Sequence, residues 1–285
     1  MDNIEKSLII NPSHFHFVIQ KCRDFFIKIG FIETHPQNRL SILAACEDPS
    51  TIATFNINHK KYPLPQTGQM WLEHDLLNNP NVSGLFCVTT SYRNEPTPIP
   101  GRHKLIFPMF EFEFKGDIQA LENIEKALLT DLGYPPAKSG HYCDIAKEYH
   151  VTEIDHQIEQ RLYSDKGPVF FLKNFPECTH PFWNMKRDSK HKTTHKIDVI
   201  LSGMETIGSA ERSTDKEEMS YHFKHILDGA YAKHLYYKFG KKRVDQELFS
   251  FLEHHFFPRC GGGIGITRLI DSMLKENLIP ECHYD

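Results

Sequence analysis

No stretch of this chain approaches 18 apolar residues, and its first residues, MDNIEKSLIINPSHF, lack a basic start followed by a long apolar run. Neither a membrane span nor a signal peptide is expected. Cysteine is sparse and irregular. Cys22, Cys46, Cys87, Cys143, Cys178, Cys260 and Cys282 make an odd count of 7 without a paired CxxC. That pattern reads as reduced thiols in a cytoplasmic protein rather than a disulfide framework. The 18 histidines are scattered and form no HExxH, which speaks against a zinc site. A net charge of -4 argues against a protein whose main task is coating nucleic acid, while leaving room for a local basic patch. Internal repeats, low-complexity linkers and a regular βαβ alternation are also missing, so a parallel doubly wound sheet is not expected.

What is present describes an ordered globular chain. Its 285 residues are 40% apolar and 25% charged, enough to bury a sizeable core. The periodicity predicts a helix over 11–29, with Pro12 in the first turn and Gly30 as the stop. Residues 31–34 read as a short strand. A second helix is predicted over 70–77, and 85–90 reads as an apolar strand. Residues 117–132 form a clear amphipathic helix with Ile118, Leu121, Ile124, Leu128 and Leu132 on one stripe. Residues 143–163 read as helical and acidic without evident chemistry, an insertion or surface module within 134–165. Strands follow at 168–171, 197–201 and 205–212. A charged hairpin tip is expected at 186–196, and helices at 216–239, 244–255 and 269–274. The sum is an α+β fold, a mainly antiparallel sheet flanked by helices, in a single domain over 1–285.

Three clusters carry chemistry. The first is SYRNEPTPIPGRHKLIFPMFEFEF, residues 91–114. Arg93 and Glu95 lead into a loop holding Pro96, Pro98 and Pro100, then Arg102 and His103. The alternation from Phe110 to Phe114 reads as a strand. Two strands joined by a rigid basic loop make a cradle for a polyanion. The second cluster is Gly261 to Gly265 with Arg268. Glycines let a ligand approach the backbone, and the arginine reaches a phosphate; such a turn is equally often a packing feature. It matches neither GxGxxG nor the Walker pattern. The third is Asp198 and Glu205 around a bend at Ser202-Gly203. Two carboxylates beside a phosphate site suit Mg²⁺, although Asp198 taken alone reads as the end of a charged hairpin. Arg212 lies further along, and a bulge at Gly208-Ser209 could bring it onto the face of Glu205.

Together these clusters resemble the class II aminoacyl-tRNA synthetases, in their aspartyl/asparaginyl branch. Arg93-Asn94-Glu95 is similar to that family's Arg-x-Glu, Arg102-His103 to its loop pair, and Phe107 and Glu113 follow at the family's spacing. GGGIGITR, ending at Arg268, resembles its third motif. GFIETHP, from Gly30 to Pro36, resembles its first, which in the family supports a homodimer interface. FFLKNFPECTHPFWNMK and IDVILSGMETIGSAER extend the resemblance between the motifs, with Asp198, Glu205 and Arg212 in register.

The resemblance implies roles. Arg93 holds the α-phosphate and the substrate carboxylate, as one catalytic residue, with Arg268 clamping the γ-phosphate as the other. Glu95, Arg102 and His103 position ATP, and Phe107 stacks on adenine. Asp198 and Glu205 hold Mg²⁺. Arg212 meets the amino acid's side chain in a pocket that includes Gln69 and, four residues on, Glu73. The chemistry is consistent, because attack of a carboxylate on an α-phosphate sets anion against anion. Arginines, Mg²⁺ and positioning lower that barrier without a protein nucleophile.

Two departures shape the expectation. Aspartyl members carry a lysine where Leu72 stands, and TGQMWLE is closer to the asparaginyl pattern. Members that charge tRNA carry an N-terminal anticodon-binding barrel, whereas here the core begins by about residue 11. The expected function is therefore an ATP-dependent ligase that forms an aminoacyl-adenylate of aspartate or asparagine type and passes it to ammonia without tRNA, as in asparagine synthesis. The alternatives are a truncated ligase charging tRNA or another carrier, and an inactive paralogue that binds RNA or protein.

Overall fold

A computed structural model describes residues 10–36, 41–43 and 47–280. Helix α1 (Pro12–Lys28) starts where the Asn11 side chain accepts from the N–H groups of Ser13 and His14, satisfying donors that the first turn leaves open. It ends before Gly30, whose φ of +88° suits a residue without a side chain. Strand β1 (Ile32–Glu33) follows, shorter than the predicted 31–34, then a hairpin of β2 (Thr54–Ile57) and β3 (Lys60–Pro63). Helix α2 (Gln69–Asn78) leads to β4 (Gly84–Tyr92) and β5 (Ile106–Lys115), joined by the proline-rich loop. Helix α3 (Ile118–Asp131) begins at Asp117, whose carboxylate accepts from the Ala120 N–H.

The segment read as one acidic helix is two, α4 (Tyr142–Glu148) and α5 (His156–Lys166). His150, at φ 57°, turns the chain between them, and Asp155 caps the second. Ahead of them runs an unforeseen strand, β6 (Lys138–His141). Strands β7 (Val169–Pro176), β8 (Arg187–Asp188), β9 (Thr193–Leu201) and β10 (Met204–Glu211) come next. The long helix expected over 216–239 is also broken, into α6 (Lys216–His225) and α7 (Ala230–Phe239). Leu227 and Asp228 are left-handed between them, and no α-helix continues through such residues. The chain closes with α8 (Lys241–Leu252), β11 (Arg259–Gly265) and α9 (Ile266–Lys275).

Apart from the separate β2–β3 hairpin, the strands described form a 9-stranded sheet in the order β1-β4-β5-β11-β10-β9-β7-β6, with β8 on β9. Among the described residues, only β1 with β4 and β6 with β7 run parallel. This is the expected α+β arrangement. The alternation along β5 sorts its residues by face. Phe110, Phe112 and Phe114 join the core beneath α1, α3 and α9, where the Phe26 ring lies 5.1 Å from Phe110 and 4.9 Å from Phe112. Removing such a ring typically costs about 3–5 kcal/mol, so α1 is fixed firmly to the back of the sheet. Glu111 and Glu113 take the other face. There, a second core around Trp183 is built from α2, α6, α7 and α8, and a third holds α4 and α5 against β7. The open floor between these front-face cores is a cleft. Among the described residues, no helix is long and apolar enough to cross a membrane.

Candidate active site

The cleft has a volume of about 310 Å³ and brings together Gln69, Arg93, Glu95, Arg102, His103, Phe107, Glu205, Arg212 and Arg268. Nine residues singled out from separate stretches of sequence therefore line one cleft. Glu73 and Asp198 lie just beneath it, the first fully buried and the second nearly so.

The amino-acid pocket predicted around Arg212 is a closed network. The Arg212 guanidinium donates to both Glu113 oxygens, at 3.2 and 3.0 Å, to Gln69 Oε1 at 3.1 Å and to the Gly261 carbonyl at 3.3 Å. Glu73 Oε1 lies 3.6 Å from Arg212 and accepts from Asn184 at 2.6 Å, while its other oxygen accepts from Arg259 at 2.9 Å. Burial opposes the charge on Arg212, but Glu113 and Glu73 outweigh it and raise the guanidinium above its ordinary value. Gln69 is aimed by the acid beside Glu113. Glu111 accepts from the hydroxyls of Thr67 and Thr89 and from the Gly68 N–H, which fixes the start of α2. Leu72, where a second cation is expected in aspartyl relatives, points into the apolar cluster of Leu76, Leu85 and Cys87.

The glycine run bears out the packing side of the reading left open in the sequence. It is the C-terminal part of β11, leading into α9, and the acids of β5 lie across it. A Cβ at Gly261 would stand 2.2 Å from Glu113 Oε2, and one at Gly262 would meet Ser209 at 2.5 Å. These two glycines let Glu113 reach Arg212 and let β10 approach. Only Gly263 and Gly265 line the cleft itself.

At the other end Arg93, Arg102 and His103 of the basic loop each face an acid. Arg93 donates to Glu47 at 3.0 Å and lies over the Phe107 ring at 5.7 Å. His103 and Glu95 meet at 2.7 Å. Arg102 donates to Glu159 at 2.6 Å. Glu159, on α5, also accepts from the backbone N–H of Glu205 at 2.9 Å. Arg268, in the first turn of α9, donates to the Glu205 carbonyl at 2.6 Å. Burial lowers the Arg268 guanidinium's value, and Arg102 and Arg93 add to that against the pull of Glu205. Glu47 and Glu159 were missed in the sequence because each lies far along the chain from its partner; Glu159 sits in the segment that carried no visible chemistry.

The carboxylate pair converges over a bare backbone. A Cβ at Gly208 would lie 3.3 Å from Glu205 Oε1 and 3.8 Å from Asp198 Oδ1. Asp198 Oδ1 is buried and accepts no hydrogen bond, while Oδ2 accepts from Lys196 at 2.8 Å. Burial pushes the Asp198 carboxyl upward, Lys196 pulls against it and Glu205 adds to it. A hard divalent cation suits two such oxygens. The expected bulge exists, but between Glu205 and Ile207, and it brings Glu205, Gly208 and Arg212 to the cleft.

A family model described as tRNA synthetases class II (D, K and N) matches residues 8–284. Among curated proteins, an aspartate–tRNA(Asp) ligase of Pyrobaculum aerophilum is 25% identical over 122 residues, covering 41% of this chain and 24% of the relative. A lysine–tRNA ligase of Legionella pneumophila strain Corby is 23% identical over 154 residues, covering 53% of this chain and 28% of the relative. The chain thus spans about a quarter of the length of the curated relatives it matches. Among solved structures, the asparaginyl-tRNA synthetase of Pyrococcus horikoshii complexed with asparaginyl-adenylate has a TM-score of 0.75 at 20% identity, covering 92% of this chain and 64% of that one. The asparaginyl-tRNA synthetase of Entamoeba histolytica in complex with asparaginyl-adenylate has a TM-score of 0.71 at 18% identity, covering 93% and 63%.

Proposed function

Because the chain belongs to the class II tRNA synthetases of the D, K and N type, we propose that it activates an amino acid of aspartate or asparagine type with ATP, forming an aminoacyl-adenylate and pyrophosphate. The observation that carries this reading is the convergence of Arg93, Phe107, Glu205 and Arg268 on one cleft that also reaches the buried Arg212. In it, Arg93 faces the α-phosphate and the attacking carboxylate, Phe107 stacks on adenine, and Arg268 takes the γ-phosphate. Glu95 and His103 hold each other in place at the loop, and Arg102 adds positive charge. Asp198 and Glu205 would hold Mg²⁺, which neutralises phosphate charge when bound. These groups act by placement and by charge fixed in advance, since the chemistry moves negative charge and needs no protein nucleophile. ATP-dependent exchange of pyrophosphate, run with each standard amino acid, tests the reading. A flat response to all of them leaves the binding-module alternative in its place.

The acceptor follows from the amino acid. In the pocket, Arg212 and Arg259 are matched by Glu113 and Glu73, and Leu72 adds no further cation. Such balanced charge fits a carboxamide, which donates and accepts, better than a second carboxylate. Asparagine-dependent exchange therefore points to tRNA or another carrier as acceptor, in line with the names of the relatives. Aspartate-dependent exchange, with amide formed from ammonia in the absence of tRNA, instead selects asparagine synthesis. A second copy of the chain is the partner we place at residues 30–36, where the edge strand β1 is flanked by the exposed Ile27, Ile29 and Ile32. Sedimentation equilibrium reads that association directly, and a monomer at working concentration removes it.

A further inference from the structure

The charged stretch 186–196 reads from sequence as a solvated hairpin tip, but its last residue does not behave as one. Lys196 lies on β9 opposite Ala210, on the cleft side of the sheet, and lines the cleft. Its ammonium sits 4.0 Å from the centre of the Phe175 ring and 2.8 Å from Asp198 Oδ2. Asp198 is thus divided between two duties. One oxygen is held by an internal cation. The other, buried and without a donor, turns to the space over Gly208 that Glu205 Oε1 also approaches.

We propose that Lys196 is a tethered cation that half-neutralises the Asp198–Glu205 pair, so that the pair takes up a divalent ion together with the triphosphate and not before it. The proposal rests on the reading of Asp198 and Glu205 as the metal pair. A buried carboxylate, Asp198, and a half-buried one, Glu205, repel each other, and such a pair is costly without a counter-charge. Lys196 supplies that charge while the cleft is empty. With Lys196 in place, an arriving cation meets a net charge of one negative rather than two, so its attraction to the protein alone is weak. Anionic phosphate oxygens make up the deficit. The ammonium stays beside the pair, because its apolar stem and its head are fixed between Phe175 and Asp198.

Mn²⁺ alone, titrated at about pH 8 into nucleotide-free protein and followed by the electron paramagnetic resonance of the free ion, tests this. The expected result is weak binding by the wild type and binding about tenfold tighter or more in Lys196→Met, with the gain abolished by adding Glu205→Gln. Lys196→Arg, which keeps the charge, stays near the wild type. Lys196→Gln serves as the second neutral variant if Lys196→Met does not fold. In parallel, the Mg²⁺ concentration that half-saturates pyrophosphate exchange falls in the neutral variants. Unchanged Mn²⁺ affinity in both neutral variants, with a raised Mg²⁺ requirement in Glu205→Gln, overturns the role of Lys196 and leaves the metal pair standing. An unchanged Mg²⁺ requirement in Glu205→Gln removes the metal pair, and the proposal with it.

Discussion

The two ends of the cleft are built on opposite principles. At the amino-acid end, Arg212 and its partner Glu113 expose 3% and 0% of their side chains, and Arg259 and Glu73 expose 0% and 1%. At the nucleotide end, Arg93 and Glu47 expose 34% and 51%, and His103 and Glu95 expose 30% and 19%. A buried pair cannot lose one member without stranding the other charge, whereas exposed pairs contribute little to stability. The pocket is therefore part of the fold. On the proposed function, the exposed Arg93–Glu47 pair is a stand-in, holding its guanidinium where a phosphate oxygen would displace the acid at small cost. On the same reading, the amino acid would enter a finished mould, and ATP would exchange partners with charges already in place.

Substitutions at the two ends should separate these principles. The largest effect is expected for Arg212→Met. It leaves Glu113 without its cation and Glu73 with Arg259 alone, and chemical denaturation should show a loss of about 3–5 kcal/mol, with exchange activity gone. If Arg212→Met were as stable as the parent, the pocket would not be structural and the contrast between the ends would collapse. Arg268→Ala comes next and should behave in the opposite way. Its kcat/KM for ATP in pyrophosphate exchange is expected to fall by about 10²–10³, while stability changes by no more than about 1 kcal/mol, the typical worth of one hydrogen bond. Equal damage to fold and activity would show that Arg268 belongs with the buried set.

A third carboxylate sharpens the comparison. Glu125 of α3 is fully buried on the back of the sheet under Ser209. Unlike Glu113 it faces no arginine, and burial pushes its carboxyl from 4.5 up to about 8. The folded chain therefore keeps a proton that the unfolded chain releases. The sign follows from linkage: the group costs nothing at pH below the unfolded value, and stability falls as pH rises toward about 8, then levels. The slope is about 1.4 kcal/mol for each pH unit in that window. Denaturation between pH 5 and pH 8 should show stability falling more steeply in the parent than in Glu125→Gln, the difference being this slope. Parallel profiles would mean that Glu125 is ionised in the fold.

Much of this was legible in the sequence because it is local. The Phe-Glu alternation of residues 110–114 announces a strand with one apolar and one acidic face, and β5 has both. The spacing from Arg93 to Phe107 sets one hairpin, so its members reach the cleft together. What was not legible depends on distant parts of the chain. Glu159 comes from α5, and its meeting with Arg102 is decided by how α4 and α5 pack on β7. Lys196 looked solvated because its neighbours in sequence are charged, whereas its neighbours in space are Phe175 and Asp198. The glycines of β11 left a ligand turn and a packing feature equally open, because their close approach to Glu113 and Ser209 exists only in the assembled sheet. The break at His150 is a left-handed residue without glycine, which periodicity does not mark, whereas the break at Leu227-Asp228 runs into Gly229, at φ 78°, a stop signal that the sequence does carry.

Glu159 offers the smallest and most discriminating test. It bridges the two halves of the nucleotide end, taking Arg102 from the loop and the Glu205 N–H from β10 on one oxygen. With 11% side-chain exposure, against 51% for Glu47, it lies between the two classes. Glu159→Gln keeps the shape and an acceptor but removes the charge, which should free the Arg102 arm without unfolding α5. The expected outcome is a rise of roughly tenfold in KM for ATP with kcat within about twofold, matching the loss of one charge-assisted hydrogen bond. Arg102→Gln alone should produce a similar change, and the double variant no more than either, since groups in one bond do not add. Additive losses in that cycle would show that Arg102 and Glu159 act separately. The segment 134–165 would then be a support for the sheet edge rather than a contributor to the cleft.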